Sequence, residues 1–159
     1  MPLLRNGQWV DNNPWVKVED DEDLPLGNKA DVAIACSLNR YISLEDKVQH
    51  LVSGVWLNVE DDVLLLKGHL DHLQLVVIDF PAFTDGRGYT QARVLRAQLA
   101  FSGELRASGD IRPDQILFMA RAGIETFDFP EQPDEKLVEG ILSRFTTNYQ
   151  PSYALPIAG

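Results

Sequence analysis

Leu73-Gln74-Leu75-Val76-Val77-Ile78-Asp79-Phe80 is the stretch whose reading decides the fold. Its apolar residues run almost unbroken instead of alternating, which is the pattern of a strand buried on both faces inside a parallel sheet. Parallel neighbours need crossover connections, so helices are expected before and after it. Downstream, residues 89–101 carry Ala92, Leu95 and Leu99 on one helical face, 104–108 read as the next strand, and 113–122 as a helix with Pro113 in its first turn and Gly123 as its stop. A strand over 125–129 and a last helix over 134–145, with Leu137, Ile141 and Leu142 on its stripe, complete that half.

Upstream the same alternation predicts a helix over 61–73, a strand over 55–59, and a helix over 43–52 with Ser43 as N-cap, Glu45 and Asp46 in its first turn and Gly54 ending it. Residues 31–38 fit either a strand or the start of a helix. Residues 1–30 are expected to form a small N-terminal appendage, with short strands around Asn12-Asn13-Pro14, and 146–159 an extended C-terminal arm. The chain is thus expected to be one α/β domain over 1–159 with a βα core over 54–145. Its strands at 55–59, 74–80, 104–108 and 125–129 should lie parallel, joined by right-handed crossovers. An open doubly wound sheet and a half-barrel both satisfy this pattern.

Composition narrows the chemistry. The 159 residues, 45% hydrophobic and 24% charged, are those of an ordinary globular domain. Cys36 is the single cysteine, so no internal disulfide, CxxC redox pair or all-cysteine metal centre is available from this chain. A cytoplasmic location is expected, because the N-terminus lacks the apolar run of a signal peptide and no stretch approaches the ~20 apolar residues of a membrane span. The net charge of −10 argues against nucleic acid as partner. Residues 19–23, Glu-Asp-Asp-Glu-Asp, read as a solvated loop or as a docking surface for a basic partner.

Between Asp85 and Arg121 the charge balance inverts. Arg87, Arg93, Arg96, Arg106, Arg112 and Arg121 face only Asp85, Glu104, Asp110 and Asp114, and no lysine occurs there. Guanidinium groups suit bidentate binding of carboxylate, phosphate or a similar oxyanion. Ligands of parallel sheets gather where the strands end, which selects Asn58, Asp79, the loop from Phe83 to Gly88, Ser108-Gly109-Asp110 and Asp128. Within Asp85-Gly86-Arg87-Gly88 two glycines flank an arginine just before a helix, so backbone N–H groups can approach an anion; Gly109-Asp110 repeats the arrangement. The alternative is architectural: Gly86 and Gly88 serve a turn, Asp85 caps the helix and Arg87 pairs with a carboxylate. Arg106 lies inside a strand and needs a partner, for which Asp85, Asp110 or an oxyanion ligand are the choices. A magnesium site of Asp79, Asp85, Asp110 and Asp128 is a weaker alternative, and His69 with His72 lacks a third ligand. No catalytic residue can be assigned, since no GxSxG or HExxH pattern occurs.

The run from Asp79 to Arg96, continued by residues 103–110, Asp114-Gln115 and residues 123–127, resembles the bacterial domain-of-unknown-function family numbered nine hundred and thirty-four. The resemblance carries Phe80, Pro81, Phe83, Asp85, Gly86, Arg87, Gly88, Tyr89, Arg93, Arg96, Glu104, Arg106, Gly109, Asp110 and Gln115. It adds Gln115 to the candidate anion- or ligand-binding residues Asp85, Gly86, Arg87, Gly88, Arg93, Arg96, Arg106, Gly109 and Asp110. At Ala122 the family pattern has a cysteine, and at Ile111-Arg112 an aliphatic residue followed by leucine. Members are labelled oxidoreductases of sulfite reduction. The resemblance therefore implies an accessory protein of assimilatory sulfite reduction that delivers electrons or docks to sulfite reductase, with an Arg-rich site for an oxyanion or phosphate-bearing ligand. A flavin or nicotinamide would be a borrowed cofactor, as no motif for either is present. The contrasting expectation is a nonredox ligand-binding or scaffold protein.

Overall fold

The computed structural model describes residues 2–25 and 33–148, with side chains to residue 144. The protein is an α/β domain built on one curled, mixed sheet of eight strands. These are β1 (Leu3–Arg5), β2 (Gln8–Val10), β3 (Trp15–Lys17), β4 (Ala33–Ser37), β5 (Gly54–Asn58), β6 (Leu75–Phe80), β7 (Glu104–Gly109) and β8 (Thr126–Asp128), in the order β2-β1-β8-β7-β6-β5-β4-β3. From β3 to β8 all neighbours pair in parallel, the four expected core strands among them. Only β1 runs antiparallel, to both β2 and β8.

Because β3 to β8 follow one another in a single direction, right-handed crossovers place every connection on the same face. A doubly wound sheet would need the order to reverse, so the half-barrel alternative holds. The curl has a second cause. Strands β2 and β3 occupy opposite edges of the eight-stranded sheet yet are joined by residues 11–14 alone. A link from Val10 to Trp15 reaches at most about 18 Å, whereas the edges of a flat sheet of this size would stand about 34 Å apart.

Alternation along the strands divides the side chains between two faces. Ile34, Cys36, Val55, Leu57, Val76, Ile78, Phe80, Leu105, Ala107 and Phe127 belong to the main core, together with Ala92, Leu95, Ile116, Met119, Val138 and Ile141 from the helices. The opposite, concave face carries Leu75 and Val77 but also Glu104, Arg106, Ser108 and Thr126. The helices are α1 (Leu38–Ser43), α2 (Asp46–Gln49), α3 (Arg87–Arg93), α4 (Ile116–Arg121) and α5 (Glu135–Asn148).

Several expectations need correction. The N-terminal strands are no appendage, since β1 and β3 are hydrogen-bonded to core strands. Residues 61–73 do not form one helix but two 3-10 turns, Val63–Leu66 and Leu70–His72, separated at Gly68, whose φ of 88° no right-handed helix accommodates. The helix expected over 43–52 shrinks to α2; Ser43, the expected N-cap, is instead the last residue of α1, which Ser37 caps by accepting from the Arg40 N–H, and Gly54 opens β5 rather than ending a helix. The helix expected to Phe101 is α3 followed by a π-helical turn, Val94–Gln98. Pro113 starts a 3-10 turn that leads into α4, and α5 extends to Asn148. Residues 33–37 prove to be strand; residues 26–32 and the arm beyond 148 lie outside the described residues. No helix among the described residues is long and apolar enough to cross a membrane.

Candidate functional site at the C-terminal ends of the strands

The loop after β6 is the best-built feature of this end of the sheet. Asp110 Oδ2, in the loop after β7, accepts from the Phe83 N–H at 3.1 Å, and the Gln115 side-chain amide donates to the Phe83 carbonyl. Gln115 Oε1 in turn accepts from the Arg112 N–H at 3.1 Å, and the Arg112 guanidinium lies over the Phe83 ring at 3.5 Å. Phe83 is thus clasped through both backbone groups and one ring face, yet its side chain stays 37% exposed.

Arg87 forms a fork with Asp85: Nε donates to Oδ1 at 3.1 Å and Nη2 to Oδ2 at 2.7 Å. Asp85 Oδ1 also accepts from the Arg87 backbone N–H at 3.0 Å, and Glu60 lies 3.9 Å from Nη1. These hydrogen bonds hold the Asp85 carboxyl below the usual carboxylate range. The loop arginine is therefore already engaged by acids. The two glycines differ: a Cβ at Gly86 would meet nothing within 4 Å, whereas one at Gly88 would stand 2.4 Å from the Phe80 ring. Gly88 is buried and serves the seating of α3 on β6. Gly109 has a φ of 86°, and Asp79 Oδ1 accepts from the Ser108 hydroxyl beside it at 3.3 Å.

The remaining arginines are dispersed. Arg96 is turned to the N-terminal ends of the strands, where it donates to the carbonyls of Gly123 (3.0 Å), Phe101 (2.8 Å) and Gly103 (2.8 Å) and pairs with Glu125. Arg93 is exposed on α3. Arg106 sits on the concave face, 1% exposed. Its partners are neither Asp85 nor Asp110: Nε and Nη2 donate to Glu104 Oε1 at 3.1 and 2.8 Å, and Nη1 to Asn13 Oδ1 at 3.2 Å. Glu104 also accepts from Arg5. Asp85, Arg106 and Asp110 thus make no contact with one another through these partners, and each has its own.

One row on the concave face escaped the sequence reading. Register links Arg5 to Thr126, Thr126 to Arg106, Arg106 to Val77 and Val77 to Trp56, and paired residues share a face. Arg5 Nε, Thr126 Oγ1 and Trp56 Nε1 are all buried without a hydrogen-bond partner. Lys17 Nζ lies 4.6 Å from the Trp56 ring centre. Burial pushes Asp128, on the same face, upward, with Arg106 opposing. Cys36 belongs to the other face; burial raises its thiol to about 11, which suppresses thiolate chemistry at neutral pH. His69 and His72 pack edge-on to Tyr41 and His50 respectively, and among the described residues no group of three His, Cys, Asp or Glu is placed to hold a metal ion.

The sequence profile of a family described as bacterial protein of unknown function (DUF934) matches residues 54–158, and the chain belongs to that family. The match takes in β5 to β8 and the loops that follow them. No curated protein and no solved structure matches the chain significantly.

Proposed function

We propose that this protein is an accessory of assimilatory sulfite reduction that docks to sulfite reductase through the rim formed by Phe83, Arg112 and the Asp85–Arg87 loop. The family resemblance supplies the partner; the clasp on Phe83 supports the mode. An aromatic ring fixed in place before binding loses little further freedom in a complex, and buried aromatic and arginine side chains dominate interface energies. The acidic run points the same way. Arg40 holds that loop by donating to the carbonyls of Glu19 and Glu22 rather than to carboxylates, and Lys17 pairs with Glu19 at 3.1 Å. Electron delivery by this chain would use a borrowed flavin or nicotinamide.

Isothermal titration of purified sulfite reductase with the wild-type protein and with Phe83→Ser and Arg112→Ala tests the reading. Binding at micromolar concentration, weakened at least tenfold by Phe83→Ser with an unchanged melt, is expected. A wild-type protein that gives no complex sinks it.

A second reading is favoured by the three unpartnered atoms on the concave row: a small oxyanion or phosphate-bearing ligand held by Arg5, Arg106, Thr126 and Trp56. Thermal shift with sulfite, sulfate and phosphate tests it, because a ligand specific to the native state raises stability by about 2.7 kcal/mol at a hundredfold excess over Kd. An unmoved melt with all three rejects it.

A further inference from the structure

A groove of about 370 Å³ opens between the segment after β5 and the start of α3, at the same C-terminal end of the sheet as the Phe83 clasp. Val59, Val63, Leu64 and Val94 give it apolar walls, and Asp61 and Asp62 stand on its rim. Each of these carboxylates commits one oxygen to the backbone, Asp61 Oδ2 to the Asn58 N–H at 2.8 Å and Asp62 Oδ1 to the Leu64 N–H at 3.0 Å. Arg87 also lines the groove, but it is forked onto Asp85 with Glu60 beyond. Arg87 is thus already engaged by Asp85 and Glu60, which stand outside the lining, and Asp61 and Asp62 leave the groove with an excess of negative charge.

A second, independent observation concerns Gln91. It is 5% exposed and lines the groove. Its Nε2 is fixed by the carbonyls of Asn58 (2.7 Å) and Asp61 (3.1 Å), which decides the orientation of the amide and leaves Oε1 as a buried acceptor without a donor. Buried polar groups without partners are few in native proteins and call for an explanation. Next to it α3 widens into its π-helical turn, with the Leu99 N–H bonded to the Val94 carbonyl at 3.0 Å, and Val94 and Gln98 both face the groove. Such turns occur frequently at functional sites.

Apolar walls, an acidic rim and an unused buried acceptor match a long aliphatic stem that ends in a cation. We propose that this groove receives a lysine or arginine side chain of the docking partner, an inference that rests on the docking reading above. The stem lies along Val59, Val63, Leu64 and Val94, and the charged head is shared by Asp61, Asp62 and Gln91 Oε1.

The test uses the whole chain labelled with nitrogen-15 and two probes, Nα-acetyl-lysine methylamide and its uncharged isostere Nα-acetyl-norleucine methylamide. The lysine probe is expected to shift the amide resonances of Val59, Thr90 and Gln91 saturably. The norleucine probe should bind at least about tenfold more weakly. The double variant Asp61→Asn/Asp62→Asn, which keeps both backbone acceptors, should weaken the lysine probe by a similar factor without changing the melt. Equal binding of the two probes, indifference to the double variant, or shifts confined to Glu19–Asp23 would each overturn the proposal. A reductase titration separates the two readings. If Phe83→Ser weakens the complex and the double variant does not, docking stands and the groove assignment falls. If the wild type forms no complex at all, both fall.

Discussion

At the start of α3, Arg87 is a rim residue whose side chain is 57% exposed, held only by the acids beside it. In the π-helical turn that continues the same helix, Arg96 is 9% exposed and binds three backbone carbonyls and Glu125. Chemically identical groups thus serve opposite ends of the sheet in different ways. Arg96 stitches the entries of β7 and β8 to the turn after α3, so the N-terminal end is closed by backbone contacts. At the other end the side chains pair with each other and leave loops, a groove and an aromatic ring accessible. This is the division between a stabilising and a ligand-facing end that parallel βα architectures share.

The comparison is tested most severely by Arg96→Ala, which leaves buried carbonyls and Glu125 without their cation. A loss of roughly 3 to 5 kcal/mol in urea melts is expected; a loss below 1 kcal/mol would mean that the closed end is not held this way. Arg106→Ala should cost less, roughly 2 to 3 kcal/mol, because Glu104 keeps Arg5 as a partner. Gly88→Ala drives a methyl group into the Phe80 ring and should cost about 1 to 3 kcal/mol, whereas Gly86→Ala, facing open space, should be nearly neutral. Equal effects of the two glycine substitutions would contradict the packing role of Gly88. Arg87→Ala, which removes an exposed ion pair, should leave the urea melt nearly unchanged.

The smallest effect expected is on pH dependence. The Asp85 carboxyl is depressed by its hydrogen bonds to Arg87, so the pair contributes above the ordinary carboxylate range and its contribution disappears as pH falls through the lowered value. Carbon-13 NMR titration of Asp85 should show a midpoint below 3.8 that moves up in Arg87→Ala. An unchanged midpoint would show that the pair does not persist in solution.

The parallel core was legible because β6 and its neighbours announce themselves by local pattern. Residues 61–73 misled for a local reason as well: Val63, Leu64, Leu65, Leu66 and Leu70 imitate a helical stripe, and the interruption hangs on the backbone angle of Gly68. The short strands β2 and β3 were expected around the Asn12-Asn13-Pro14 turn, but β1 has no period to read, and the places of all three depend on partners elsewhere in the chain. For Arg106 the signal was present. Alternation along the strand that was expected to hold Arg106 puts Glu104 on the same face, two residues away, and Glu104 is its partner. Asn13 and Arg5, which complete that cluster, could be placed only once the curl was known.

Pairing of Leu3 with Asp128 gives the curled sheet a schedule as well as a shape. During synthesis β1 leaves the ribosome long before its neighbour β8, the last strand among the described residues. The chain must therefore hold its opening residues in reserve while the middle of the domain assembles, a long-range closure of the kind that slows folding. A product cut short before Thr126 would expose β7 as a bare edge, ready to recruit a strand from another molecule.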